Sequence, residues 1–269
     1  MPELPEVEVV CRKLRKDAAG ARIVAARILR PRTSHPQKPA LVETLVSGRT
    51  IETVSRRGKN ILIGISGGLV IRVHLRMTGN LYVIPDVRFR PKATRACFEL
   101  DGGRGLVFED QRALGVLNVW QVGEAAALLD ELGLEPLSRK FTVRALAGAA
   151  RQSRKPAKLF LMDQRHVAGL GNIYAAEALF RARIHPAKPM NRIPPGKLPA
   201  LHAAIVQVLR EALRSASVAF SRPGEFDEAG DFPLSVYDRE GEPCFVCRRK
   251  IRRLVQGGRS TYFCPGCQR

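Results

Sequence analysis

Four cysteines near the carboxyl terminus constrain the fold of this chain more than any other feature of its sequence. Cys244 and Cys247 form one Cys-x2-Cys pair, and Cys264 and Cys267 form a second pair after an interval of sixteen residues. Two knuckles at this spacing each offer two thiolates to one tetrahedral zinc ion. Since four thiolates leave no coordination position for water, the pattern predicts a single structural Zn2+. A redox pair and accidental clustering are the competing interpretations.

The segment from Cys244 to the end is basic and contains no acidic residue. Its cationic residues are Arg248, Arg249, Lys250, Arg252, Arg253, Arg259 and Arg269. The whole chain has 45 Lys and Arg against 25 Asp and Glu, a formal net charge of +20. Nucleic acid and an anionic membrane surface both reward clustered cations. A polyanionic partner is therefore expected, and a basic zinc hairpin placed against a phosphate backbone is the simplest arrangement.

The membrane alternative is the weaker of the two. No stretch reaches the roughly 18 apolar residues of a spanning helix, and no basic stub leads into an apolar segment at the amino terminus. We expect a cytoplasmic protein, associated with the nucleoid if the polyanion is DNA. Disulfides are improbable in that compartment, so the isolated Cys11 and Cys97 are expected to be small buried apolar residues.

The periodic spacing of apolar residues changes near residues 133–140, a segment that has neither the period of a strand nor that of a helix. We place a domain boundary there. Before it, residues 21–122 consist of short apolar runs separated by glycine turns, and residues 61–75 have the pattern of a β-hairpin. We predict a β-sandwich or flattened barrel here, preceded by a helix over residues 6–16.

Beyond the division, the chain is rich in alanine and leucine with helical spacing. Helices are predicted over residues 142–150, 156–163, 172–182 and 198–215, and a loop over 216–236. The predicted fold class is α+β and multidomain. Its domains are 1–132, a β-sandwich with an amino-terminal helix; 133–222, a helical domain; and 223–269, a loop and zinc finger.

Two local features suggest chemistry. The glycine turn over residues 166–171 leads into a helix with Asn172 as its predicted N-cap, where exposed amides suit a phosphate, although most such glycines only shape a turn. Pro2 becomes the first residue if Met1 is removed, and its free secondary amine is a latent nucleophile. The alternative is that Pro2 and Pro5 simply stiffen the terminus.

Five motifs in order carry a resemblance to a known family. They are MPELPEVE at 1–8, RRGK at 56–59, HLRMTG at 74–79, GLGNIY at 169–174, and the four-cysteine finger with Arg259 before its second knuckle. Over essentially its whole length the chain resembles the formamidopyrimidine-DNA glycosylase family, the Fpg/MutM branch of the Fpg/Nei glycosylases. The resemblance implies a β-sandwich, a helix-two-turn-helix domain and a zinc finger, with DNA in the cleft between the halves.

The resemblance also implies an activity. The chain would be a bifunctional DNA glycosylase and AP lyase of base excision repair, acting as a monomer on damaged double-stranded DNA. Pro2 would attack C1′ of the lesion and form a Schiff base, with Glu3 as general acid/base and Glu6 as a supporting carboxylate. Cleavage by β- and δ-elimination would follow. Lys59 would hold a phosphate and assist proton transfer. The alternative interpretation is that Lys59 is a solvated lysine in a hairpin turn.

Further residues match the family's DNA contacts. Asn172 and Arg259 would hold the phosphates flanking the lesion, and the gap in the base stack would be filled by Met77, Arg112 and a third side chain. The family has phenylalanine at that third position, whereas this chain has Leu114, which loses the stacking face.

A second departure lies over residues 217–234, where the family's loop above 8-oxoguanine is not recognisable. Formamidopyrimidines, hydantoins or oxidised pyrimidines are therefore at least as plausible as substrates. The two departures leave room for a relative that acts only on abasic sites. A non-catalytic DNA-binding protein is the other alternative, against which the presence of Pro2, Glu3 and Lys59 argues.

Overall fold

The computed structural model describes residues 2–219 and 232–269, which form two compact units. The first contains residues 2–131 and the end of the last helix, and the second contains residues 132–215 and 232–269. Among the helices described, none is long and apolar enough to cross a membrane.

The first unit begins with helix α1, Leu4–Asp17. The helix starts two residues before the predicted position, because Pro5 lies in its first turn, where a missing N–H costs nothing. Its apolar face, Val7, Val10, Cys11 and Leu14, is buried as the periodicity predicted.

Two four-stranded antiparallel sheets follow. The strands are β1 (Ile23–Ile28), β2 (Ile51–Arg57), β3 (Asn60–Ile65), β4 (Leu69–His74), β5 (Gly79–Ile84), β6 (Thr94–Leu100), β7 (Gly105–Asp110) and β8 (Val116–Gln121). One sheet has the order β1-β6-β7-β5 and the other β2-β3-β4-β8. The predicted hairpin is confirmed as β3 and β4, with Ile65 opposite Leu69. Helix α1 packs against β2 and β3 of one sheet and β5 of the other.

Two short helices in the first unit were not predicted. They are α2, Pro39–Val46, and α3, Val122–Asp130. Each buries only two side chains, Val42 and Val46 in α2, and Ala125 and Leu129 in α3. A stripe this short gives the sequence little periodicity to detect.

The second unit contains three helices, most of a fourth, and a β-hairpin. The helices are α4 (Val143–Arg151), α5 (Ala157–Met162), α6 (Asn172–Arg181) and α7 (Leu198–Ala219). All four predicted helices are confirmed, and the stripe from Leu198 to Ala212 on α7 is in the core. The hairpin pairs β9 (Arg252–Gln256) with β10 (Arg259–Phe263). The α+β multidomain prediction is thus confirmed.

The loop prediction over 216–236 is only partly right. Helix α7 continues to Ala219, so the first four residues of the predicted loop, 216–219, are helical. Residues 232–236 are in neither helix nor strand, as predicted. The rest of the segment, residues 220–231, lies outside the described residues, as do the side chains of 217–219.

Candidate functional site

The amino-terminal residues Pro2 and Glu3 are held at the start of α1. Both are buried, and Glu3 is only 1% exposed. A carboxylate oxygen of Glu6, itself 2% exposed, accepts a hydrogen bond of 2.8 Å from the backbone N–H of Glu3. This is half of a capping box, which fixes the direction in which the chain enters the helix. Pro2 therefore occupies a defined position, with two carboxylates close by in sequence.

A charge network attaches α1 to strand β2. The carboxylate of Glu8 accepts hydrogen bonds from Arg15 at 3.2 Å and Arg56 at 3.1 Å, and Arg15 Nε donates to the Val54 carbonyl at 2.7 Å. Burial acts to raise the pKa of Glu8, but Arg15 and Arg56 outweigh it and lower that pKa below its usual value. The helix that presents Pro2 and the strand that leads to Lys59 are thus joined by side-chain bonds.

Lys59 lies in the two-residue turn between β2 and β3, where Arg57 pairs with Asn60. Gly58 has a φ of 57°, a left-handed conformation that glycine adopts without a Cβ clash. Lys59 is only 6% exposed, so it is not the solvated hairpin lysine of the alternative interpretation. The tight turn presents a largely buried ammonium group.

His74, at the end of β4, lies among cations. Its Nδ1 accepts a hydrogen bond of 3.1 Å from the backbone N–H of Arg76. Burial, followed by the charges of Arg76, Lys59 and Arg72, lowers the pKa of His74 to about 3. The imidazole is therefore neutral at physiological pH, and the local positive potential suits an anion such as a phosphate.

Met77, Arg112 and Leu114 lie on two turns that share one buried acceptor, Asp110. The carboxylate of Asp110 accepts hydrogen bonds from the Thr78 hydroxyl and from the backbone N–H groups of Arg112 at 3.2 Å, Leu114 at 2.7 Å and Gly115 at 2.7 Å. Gly79 pairs with Asp110 in the sheet. The structure therefore brings together the turns that carry the three predicted gap-filling residues.

These two turns are conformationally demanding. Arg76 has a φ of 58° and Ala113 a φ of 52°, values that side-chain-bearing residues rarely adopt. A Cβ on Gly79 would lie 2.5 Å from the Leu75 carbonyl oxygen, and one on Gly115 would lie 2.4 Å from the Phe108 ring. Strained backbone that the surrounding structure fixes in this way is characteristic of functional sites.

Asn172 is the first residue of α6, and Gly171 is the cap, so the prediction of Asn172 as N-cap is wrong. Gly171 is extended, with φ of −133° and ψ of −151°, which places the end of the glycine turn one residue earlier. The Asn172 amide nitrogen donates to the Tyr237 hydroxyl at 3.4 Å, while its Oδ1 is buried without a partner in the described structure. The side chain is thus oriented by Tyr237 at a helix N-terminus, where backbone N–H groups attract anions.

Arg259 is exposed at the start of β10, and the hairpin beneath it is anchored by a buried lysine. Lys158 on α5 is fully buried, and its Nζ donates to the Ser260 carbonyl at 2.8 Å and the Thr261 hydroxyl at 2.6 Å. On the same strand of the hairpin, the ring of Tyr262 packs edge-on against the ring of Tyr237, with 5.2 Å between the ring centroids. Asn172 and Arg259 are therefore carried by elements of one packed unit.

A second buried charge, that of Glu177, holds residues 235–237. The carboxylate of Glu177 on α6 accepts hydrogen bonds of 2.9 Å from the backbone N–H groups of Ser235, Val236 and Tyr237. Glu177 thereby positions Tyr237, and through it Asn172. No role was predicted from the sequence for Glu177, Lys158, His74 or Asp110, although His74 is the first residue of the HLRMTG motif.

The four cysteines converge. Their Sγ atoms all lie within 4.8 Å of one another, with 3.9 Å between Cys244 and Cys267 and 3.3 Å between Cys247 and Cys264. Tetrahedral zinc, with Zn–S bonds of about 2.3 Å, needs sulfurs about 3.8 Å apart. A Cβ on Gly266 would lie 2.8 Å from the Cys247 sulfur, so the knuckle requires glycine. The geometry fits one structural zinc ion.

The thiols also need a cation to become four thiolates. Burial raises the pKa of Cys264 and raises that of Cys267 to about 12, whereas the backbone N–H of Arg249 lowers the pKa of Cys247 to about 7. A divalent ion at the centre compensates the charges that burial opposes.

Comparison with known proteins covers nearly the whole chain. Residues 1–117 match the model of the formamidopyrimidine-DNA glycosylase N-terminal domain, and residues 132–222 match that of its H2TH domain. Residues 241–269 match a zinc finger found in FPG and IleRS. The zinc prediction is confirmed by this match together with the cysteine geometry.

Related proteins align with this chain over nearly their whole length. The formamidopyrimidine-DNA glycosylase of Chloroflexus aurantiacus is 41% identical over 276 residues, which cover 100% of this chain and 98% of that protein. The structure is similar to that of Lactococcus lactis Fpg in complex with an abasic site containing DNA, with TM-score 0.91, 31% identity and 99% of each chain covered. A complex of the same Lactococcus protein with N7-benzyl-Fapy-dG containing DNA also gives TM-score 0.91 and 31% identity, with 100% of each chain covered.

Proposed function

The chain belongs to the formamidopyrimidine-DNA glycosylase family, and from this premise we propose that it is a bifunctional DNA glycosylase and AP lyase that repairs oxidised bases in double-stranded DNA. The observation that carries the proposal is the amino terminus. Pro2 and Glu3 are buried at the start of α1, and Glu6 holds the Glu3 backbone.

The nucleophile in this proposal is the amine of Pro2 after removal of Met1. An α-amino group has a pKa of about 8, so a useful fraction is uncharged at neutral pH, unlike a lysine side chain. The nitrogen lone pair forms a bond to C1′ of the damaged nucleotide while the bond from C1′ to the base breaks. The departing base takes the electron pair of that bond and a proton.

Glu3 then supports the opening of the sugar. The bond between C1′ and O4′ breaks, O4′ receives a proton from Glu3, and an iminium forms between Pro2 and C1′. Loss of a C2′ proton expels the 3′ phosphate by β-elimination, and a second elimination expels the 5′ phosphate. Water finally hydrolyses the iminium and regenerates the free amine. No step requires a redox cofactor or a metal ion.

Cations of the first unit hold the negative charge in this scheme. Lys59, in its tight turn, contacts a phosphate beside the lesion and assists proton transfer during the eliminations. The imidazole of His74 is neutral and accepts a hydrogen bond from the Arg76 backbone. The phosphate charge is therefore balanced by the surrounding cations and not by His74. Desolvation strengthens each of these interactions.

The second unit contributes further phosphate contacts. Asn172 offers its side chain and the backbone N–H groups of the α6 N-terminus, and Arg259 offers a guanidinium group suited to bidentate phosphate binding. The zinc ion stabilises the hairpin that carries Arg259. In the first unit, Met77, Arg112 and Leu114 fill the gap left when the damaged nucleotide is extruded.

Among substrates, we propose formamidopyrimidines first. The complex of the Lactococcus lactis relative with N7-benzyl-Fapy-dG containing DNA supports this choice. Specificity for 8-oxoguanine is not transferred, because residues 217–234 lack the family's recognisable loop sequence. Hydantoins and oxidised pyrimidines remain candidates on the same ground.

Borohydride trapping tests the mechanism. The protein is incubated with a duplex containing one formamidopyrimidine, reduced with borohydride, digested, and analysed by mass spectrometry. We expect one adduct at the amine of Pro2. The mechanism is wrong if no adduct forms, or if the adduct maps to a lysine while Pro2 stays free.

The same duplex tests the abasic-only alternative, which Leu114 and the altered loop favour. Release of the free base is measured beside nicking of a duplex with a plain abasic site. Base release together with nicking supports the bifunctional enzyme. Nicking with no base release from formamidopyrimidine, hydantoin or oxidised pyrimidine substrates supports the restricted activity instead.

A further inference from the structure

A cleft on the β1-β6-β7-β5 sheet is not used by the proposed chemistry. It has a volume of about 240 Å3 and is lined entirely by residues of the first unit. Its apolar lining comes from Ala25 and Leu29 on or next to β1, Cys97 on β6, and Val87 on the segment between β5 and β6. Cys97 and Val87 belong to an apolar cluster with Tyr82, Ile84 and Val107. The cleft therefore has a packed apolar floor.

Three arginines line the cleft, and two of them have no carboxylate partner among the described residues. Arg27 and Arg90 both line it, and within residues 2–219 and 232–269 neither makes an ion pair or a side-chain hydrogen bond. Arg88 also lines it but is paired with Asp86 at 2.6 Å. Burial raises the pKa of the Cys97 thiol; the charges of Arg90 and Arg27 oppose this rise, and the charge of Glu99 adds to it.

Large apolar side chains beside the cleft are exposed to solvent. Phe89, between two of the lining arginines, is 80% exposed, and Leu29 is 44% exposed. Single exposed apolar residues are common, but here they border an apolar cleft with unpaired arginines. Apolar anchors surrounded by arginine are the composition of binding hot spots between proteins.

We propose that this cleft binds an acidic peptide segment of a partner protein, which inserts one large apolar side chain between Arg27 and Arg90. The volume suits this occupant, because cofactor-sized pockets span roughly 300–1,000 Å3 and this cleft is smaller. Carboxylates on either side of the inserted residue pair with the two guanidinium groups, which are suited to bidentate contacts.

Duplex DNA fits the cleft less well. Glu99 also lines it and repels phosphates and carboxylates alike, so the preference for a peptide rests on the apolar floor. The DNA backbone also has no side chain with which to fill an apolar cavity. None of the eight residues that line the cleft is among the residues proposed to contact DNA.

The test uses the full-length zinc-loaded protein and a fluorescein-labelled probe peptide, Asp-Asp-Phe-Asp-Asp, with binding followed by anisotropy. The double variant Arg27→Gln/Arg90→Gln is expected to raise Kd at least tenfold, or about 1.4 kcal/mol. Ala25→Phe fills the cleft without changing its charge and is expected to raise Kd about fivefold by the loss of anchor burial. The matched control Arg32→Gln/Arg144→Gln removes two equally exposed arginines and should stay within about twofold, because neither of them lines the cleft.

Probe variants separate the contributions. A peptide with Asn in place of Asp, and one with Ala in place of Phe, should each bind at least tenfold more weakly, since each loses one half of the recognition. The proposal is overturned if the probe does not bind, if the Asn peptide binds equally well, or if both double variants weaken binding to the same extent. It is also overturned if Arg27→Gln/Arg90→Gln loses affinity for undamaged duplex while retaining the peptide, which would make the cleft a DNA contact.

Discussion

At the scale of single residues, buried polar groups fix the turns that face the proposed lesion. Asp110 is fully buried, yet its carboxylate receives one hydroxyl and three backbone N–H groups. A carboxylate is an acceptor only, and four converging donors make its charge tolerable in the interior. The positions of Met77, Arg112 and Leu114 therefore depend on a residue that would not itself touch DNA.

Replacing Asp110 with asparagine tests that dependence. Asp110→Asn points an NH2 group at N–H donors, so at least one buried group loses its partner, and we expect a loss of about 1–3 kcal/mol in the free energy of unfolding. Urea denaturation measures it. The control is Asp101→Asn, which removes a surface ion pair with Arg104 and should change stability by less than about 1 kcal/mol. Equal effects of the two substitutions would contradict the role given to Asp110.

His74 gives stability a dependence on pH. Its pKa is lowered to about 3, below the value of 6.5 in an unfolded chain, so the unfolded state binds the proton more readily. The contribution of the neutral imidazole is present above pH 6.5 and is lost as the pH falls from 6.5 toward 3, at up to about 1.4 kcal/mol per unit. The stability advantage of the native protein over His74→Gln should therefore shrink between pH 7.5 and pH 5.

Urea denaturation of both proteins at several pH values measures this difference. Carboxylates and zinc thiolates titrate in both proteins, so their contributions cancel in the comparison. His35→Gln, at an exposed position, controls for the removal of an imidazole. A constant difference between native protein and His74→Gln across the range would exclude the proposed desolvation of His74.

At the scale of secondary-structure elements, buried charges join helices to the segments that carry the proposed phosphate contacts. Lys158 links α5 to β10, and Glu177 links α6 to residues 235–237. A buried ammonium or carboxylate is costly unless its partners are placed accurately, so each link favours one position of the attached segment. The zinc site fixes the hairpin from its other end.

Lys158→Met tests the link to the hairpin. The substitution keeps the length and apolar stem of the side chain but leaves the Ser260 carbonyl without this donor, so we expect Arg259 to lose its fixed position. Affinity for a duplex with an abasic-site analogue should fall about tenfold, equivalent to 1.4 kcal/mol. Zinc content, measured by atomic absorption, should remain one ion per chain.

The control for this experiment is Lys140→Met, which removes a positive charge from an exposed position and should leave DNA affinity within about twofold. In the background of Arg259→Gln, Lys158→Met should have little additional effect, because both changes then act on one contact. Fully additive losses would show that Lys158 acts on DNA binding by another route.

At the scale of the whole molecule, charge governs association. With a net charge of +20, binding to duplex DNA should release many counterions. If 6–10 phosphates are neutralised, affinity should fall by roughly 10^3–10^5 between 50 and 200 mM salt. Fluorescence anisotropy across that range gives the slope of log Kd against log salt, and Arg259→Gln should reduce the slope by about one. A slope unchanged by that substitution would remove Arg259 from the phosphate contacts.

Much of this protein could be read from local sequence. The zinc site follows from the spacing of Cys244, Cys247, Cys264 and Cys267, because the two knuckles bring their own ligands close before any distant packing. The hairpin at residues 61–75 and the helix containing Leu198 follow from apolar periods of two and 3.6 residues. The five motifs supplied the family, which comparison then showed.

Tertiary structure alone decided which buried polar residues position the site. Asp110 lies 32 residues from Thr78, Lys158 lies 103 residues from Thr261, and Glu177 lies 59 residues from Val236, so no local pattern joins these partners. The cleft beside Arg27 likewise arises from β1 and β6, two strands that pair across a long separation in sequence. Periodicity and spacing describe what a segment does by itself, whereas a buried charge is stable only where other segments bring its partners.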